Sequence, residues 1–148
     1  MNTRVRDITA GKALVAQIFD LDAPGPVIFP TPDEVEMQCG FGEVAEDKHI
    51  KPHVHNIVER QTRNTSEFIY VIAGQMDLVF LDSRGQTIGE AAITAGQGFL
   101  QYVGGHKITI SAGTRYFELK QGPYLGHVKD KTVLEDSAFC RAAPSPTA

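Results

Sequence analysis

Apolar residues in this chain come in short runs that alternate with polar ones at period two, and glycine or proline closes most runs. No long stretch keeps the 3.6-residue period of an amphipathic helix. Side chains on a strand point alternately to its two faces, so such runs predict strands with one face buried. Strands are predicted over residues 14–19, 37–45, 50–55, 67–73, 76–82, 86–94, 99–103, 106–111 and 115–121. Many short strands separated by close turn signals predict an all-β sandwich or barrel. Gly74-Gln75, between two runs, reads as a tight two-residue hairpin. Val27-Ile28-Phe29 is broken by Pro30-Thr31-Pro32, which suits an edge strand or an arm reaching a partner, because proline cannot donate to a ladder.

These runs divide one domain of 148 residues into three parts. Residues 1–36 are expected to form N-terminal strands and an arm with a dimer contact. Residues 37–122 are the expected core of that sandwich or barrel. Residues 123–148 form an extension, whose end, rich in alanine, proline, serine and threonine, is expected to be disordered.

Composition removes some partners. The formal charge is −4, which gives no basic footprint for nucleic acid. No apolar run approaches the roughly 18 residues that span a bilayer. The first residues lack the apolar core of a signal peptide, so a cytoplasmic location is expected. Cys39 and Cys140 lie far apart, in no metal-type spacing, and are expected to stay reduced.

The candidate chemistry lies in the histidines and in the strand starts. His53 and His55, one residue apart on an extended segment, present two imidazoles to one side. Glu67 heads the apolar run 67–73. His106 shares parity with Ile108 and Ile110, so it points with core residues. Gln101 shares parity with Phe99 and Val103 and would be a polar handle in a pocket. Glu59, Arg60 and Arg63 form a charged loop; arginine forks match carboxylates and phosphates. His49 and His127 read as surface residues, and Tyr124 as a packing or dimer residue.

The order of these parts resembles the cupin superfamily. Its first motif runs glycine, His-x-His, glutamate and glycine, matched here by His53, His55, Glu67 and Gly74. Its second motif ends in a tight turn and a histidine, matched by Gly104-Gly105-His106. Asp47 stands where the motif opens on glycine, and paired glycines replace the second motif's proline. Eleven residues separate His55 from Glu67, against three or four in the family, and Glu59 holds the usual spacing instead. With residues 117–124, the second turn looks like a group of small single-domain bacterial cupins, most of them uncharacterised, related to groups found in sugar metabolism.

The resemblance implies a cupin-type antiparallel β-barrel, a double-stranded β-helix or jelly roll. It implies one divalent transition metal, Fe, Mn, Ni, Co, Cu or Zn, on His53, His55, Glu67 and His106, with Glu59 as the alternative carboxylate. Gln101, Arg60 and Arg63 would meet the substrate. The expectation is a metal-dependent enzyme, an isomerase or oxygenase, for a small polar, sugar-derived molecule, in a homodimer. The alternatives are a sugar-binding module without turnover and a metal-independent sugar-nucleotide isomerase or epimerase.

Overall fold

A computed structural model describes residues 4–134; Cys140 and the expected disordered tail lie outside them. Among the described residues the chain forms eight strands and one short helix. In order they are β1 (Val5–Ala10), β2 (Ala13–Asp20), β3 (Glu67–Ala73), β4 (Gln75–Leu81), β5 (Thr87–Thr94), β6 (Gln97–Gln101), β7 (Gly105–Ile110), β8 (Arg115–Lys120) and α1 (His127–Asp130). They build two antiparallel sheets, ordered β1-β2-β6-β3-β8 and β5-β4-β7. No helix among the described residues is long and apolar enough to cross a membrane.

The alternation in the sequence becomes the inner faces of two packed sheets. Met76, Leu78 and Phe80 of β4 are buried, while Gln75 before them and Asp77 among them are exposed. They meet Ile18, Ile69, Val71 and Phe99 of the larger sheet in one core, the arrangement of a β-sandwich. Phe80 and Phe99 cross edge to face at 5.7 Å, the geometry the aromatic quadrupole favours.

β2 is buried on both faces, from Val15 to Phe19. Its outer face carries a second apolar cluster of Phe19, Leu100 and Tyr102, covered by Met37, Cys39 and Phe41 of the following crossing segment. Arg4 fastens that segment. Its guanidinium donates to the Pro26 carbonyl at 2.7 Å and stands 5.1 Å from the centre of the Phe41 ring. A buried polar chain also ties this face: the Tyr102 hydroxyl donates to Gln17 Oε1 at 2.6 Å, and Gln17 Nε2 donates to Asp7 at 2.9 Å. Burial drives the Tyr102 phenol well above its usual range.

Three local expectations change. Gly74 is not a hairpin turn, because β3 and β4 lie in different sheets. It is a corner with φ 90°, where a Cβ would come within 2.7 Å of Thr114 Cα, so only glycine lets the two corners meet. Residues 37–45 make bridges rather than a strand, Ile28 with Phe41 and Pro26 with Glu43. Gly42, at φ 145°, passes the Pro26 backbone too closely to carry a side chain. Residues 50–55 join neither sheet and stay exposed. Pro52 removes one donor from any ladder there. β1 and α1 are elements that the run pattern does not reveal.

One consequence of the sheet order places the site. β7 and β8 are edge strands of the two sheets. At the end of the sandwich where they start and finish, a cavity of about 910 Å³ lies between the layers.

Candidate functional site

The cavity gathers the ends of several strands. Glu67 opens β3, Gln101 closes β6, His106 is the second residue of β7, and Glu118 and Lys120 lie near the end of β8; all line it. Strand register explains the grouping. Glu67 pairs with both Gln101 and Lys120, so three side chains from neighbouring strands share one face. Gly104, at φ 79°, makes the turn into β7; a Cβ there would sit against the Leu81 carbonyl.

His106 is held in one tautomer. Its Nδ1 lies 2.6 Å from Gln101 Oε1, while Gln101 Nε2 donates to the Val103 carbonyl at 3.0 Å. The amide nitrogen is thereby committed to Val103, so Oε1 must accept and His106 Nδ1 must carry the proton. Nε2 keeps its lone pair for a metal or a proton. The ring also rests edge-on against Phe99 at 6.1 Å. Burial lowers the His106 pKa, with Lys131 acting in the same direction, so the neutral ring is favoured.

Glu67 is half-buried, and burial raises its pKa. Glu118, which shares a hydrogen bond with it, raises it further, and Lys120 opposes both. Lys120 in turn pairs with Asp130 at 2.6 Å. That contact ties α1 to β8, and residues 130–134 line the cavity.

The other candidates lie elsewhere. The structure brings Glu67, Gln101, His106 and Arg63 to the cavity, and does not bring His53, His55, Glu59 or Arg60 to it. His53 and His55 stand in an exposed extended segment, their rings 5.3 Å apart. His53 Nδ1 donates to the Lys51 carbonyl at 3.0 Å, which leaves its Nε2 free of that bond. Among the described residues, no three of histidine, cysteine, aspartate and glutamate are grouped so as to hold a metal ion. Glu118 and Lys120 are cavity residues that the run pattern passes over. Their signal is the polar row Glu118 and Lys120 alternating with apolar Phe117 and Leu119.

The chain matches no family model, no curated protein and no solved structure at a significant level.

Proposed function

We propose that the chain is a jelly-roll protein of cupin type that binds one divalent transition metal and acts as a metal-dependent enzyme on a small polar, sugar-derived molecule. The observation that carries this reading is His106, fixed by Gln101 so that its Nε2 lone pair remains for the cavity it shares with the half-buried Glu67. An imidazole nitrogen and a carboxylate oxygen suit Mn, Fe, Co, Ni, Cu or Zn without choosing among them. Gln101 is the kind of outer partner that orients a metal-binding imidazole. His53 and His55 complete the set in this reading, when residues 50–55 fold onto the open end of the sandwich. Their side-by-side rings and the unpaired edge of β7 support that step. When bound, the metal polarises a substrate oxygen or activates water or dioxygen. Exposed Phe117 and Leu119 on the edge strand β8 favour a homodimer through that strand.

The test is metal analysis of gently purified protein. About one ion per chain is expected, lost in His106→Ala and in His53→Ala. Protein that stays metal-free after purification and after refilling with each of the six metals sinks the reading.

The hydrogen-bonded Glu67–Glu118 pair beside a neutral imidazole favours a second reading. In it the protein is a metal-independent isomerase or epimerase with His106 as base. Turnover that survives a chelator separates it from the first. A sugar-binding module without turnover would instead keep its ligand-induced stabilisation in His106→Ala.

A further inference from the structure

We infer that the cavity takes a small molecule bearing a carboxylate or phosphate group, and that Lys131 and Arg63 hold that group at the mouth. The inference rests on the cavity being the ligand site, as in the reading above, and not on the metal.

The segment after β8 is built to stay over the opening. Asp130 anchors it to Lys120 at 2.6 Å. Leu134 anchors it at the other end, packing over Gly85 and Gly105, where a Cβ would stand 3.3 Å and 3.9 Å from its Cδ1. Lys131 lies between these anchors, and its charge reaches both Glu67 and His106. Arg63 comes from the loop before β3 and lines the same cavity.

The charges at the mouth are not equivalent. Lys120 is occupied by Asp130. Glu90 and Lys107, of opposite sign, both pair with Val79 from the two strands that flank β4. Arg63 and Lys131 make no ion pair within 4.0 Å among the described residues. Two cations from segments far apart in sequence therefore line one cavity without a contact ion pair, Lys131 acting on Glu67 and Asp130 only at longer range. A neutral ligand leaves both to water. An anionic group gains charge-assisted hydrogen bonds from each, stronger than neutral ones.

The test uses the full chain, chelator-stripped and separately metal-reloaded, titrated calorimetrically with glucuronate, glucose 6-phosphate and glucose. Both anions are expected to bind about tenfold more tightly than glucose, in either metal state. Lys131→Met and Arg63→Met should each erase most of that preference, and Lys131→Arg should keep it. The ratio between the two anions distinguishes a carboxylate from a phosphate ligand. Because Lys131 is exposed, the unliganded melting temperature of Lys131→Met should match the wild type, which separates lost binding from lost fold. Glucose binding as tightly as the anions, neither anion binding, or an undiminished preference in Lys131→Met would overturn the proposal. Anion binding that needs metal and ignores Lys131 would overturn it too. Absence of metal with the anion preference intact would remove only the metal reading.

Discussion

His106 lies on β7, paired with β4 from Met76 to Leu81, with its ring against Phe99 and its Nδ1 on Gln101. His53 and His55 lie in residues 44–66, a stretch that contributes no strand. Their rings touch each other, and the fixed bond of His53 is to a carbonyl two residues away. The same side chain is thus positioned by a tertiary network in one region and by its own neighbours in the other. The difference shows in chemistry. Burial holds the His106 pKa down, a cost that only a packed site imposes. The exposed segment also leaves Ile50, Val54 and Ile57 in water, Ile57 fully. Covering each such side chain would stabilise by about 1.5–3 kcal/mol. A solvated segment that carries several exposed β-branched residues has much to gain from docking.

The contrast can be broken at several points. Phe99→Ala should have the largest effect, removing the ring that packs on both Phe80 and His106. A loss of about 3–5 kcal/mol in denaturant unfolding is expected; under 1 kcal/mol would show that the sandwich does not hold His106. Gln101→Leu comes next. It leaves the His106 Nδ1 proton unpaired, at a cost of about 1–3 kcal/mol, and should weaken metal binding roughly 10–100-fold if a metal is bound. Unchanged stability would mean that the tautomer is not held by Gln101.

The pH dependence is smaller and has two opposed parts in metal-free protein. His106 has a folded pKa below its ordinary 6.5, so the unfolded chain takes up protons first as pH falls. The stability it contributes is complete above 6.5 and declines as pH drops below that value. Glu67 has a folded pKa above 4.5, so its contribution is present at low pH and is lost as pH rises through the folded value. Melting curves from pH 4 to 8 should therefore flatten on the acid side in His106→Gln and steepen there in Glu67→Gln. The reverse pattern would contradict the burial of both groups.

Ile57→Ser should do least. In metal-free protein it is expected to change stability by within about 0.5 kcal/mol, and amides 46–64 should exchange almost unprotected. Added metal should slow that exchange, and only then should Ile57→Ser become costly. Protection without metal would mean that the segment is already docked.

Much of the sheet architecture is legible in the run pattern, because burial of one face imposes period two. The run 67–73 is β3 as it stands, and β4 to β8 fall within one or two residues of expectation. Gly74 misleads, since a glycine at a sheet corner and a glycine in a hairpin look alike in sequence. The difference lies in Thr114, forty residues on. β1 is hidden because only Ile8 of its six residues is buried. In the site, parity points to Gln101 and His106, and both line the cavity, although Tyr102 and Lys107 of the opposite parity line it too. Parity cannot select Glu118 or Lys120, whose place depends on β8 lying beside β3. Nor can it show that residues 130–134 return to line the same cavity.

The Arg4 contact carries a consequence for handling the protein. One guanidinium near the chain's beginning laces down a crossing segment twenty and more positions away, through Pro26 and Phe41. Proteolytic trimming past that residue, or a bulky fusion that pulls it off, would expose Phe19, Leu100 and Tyr102 together. The sandwich core would stay closed while an adhesive outer face opened. The first sign of such damage would be clumping during storage, well before any loss of secondary structure.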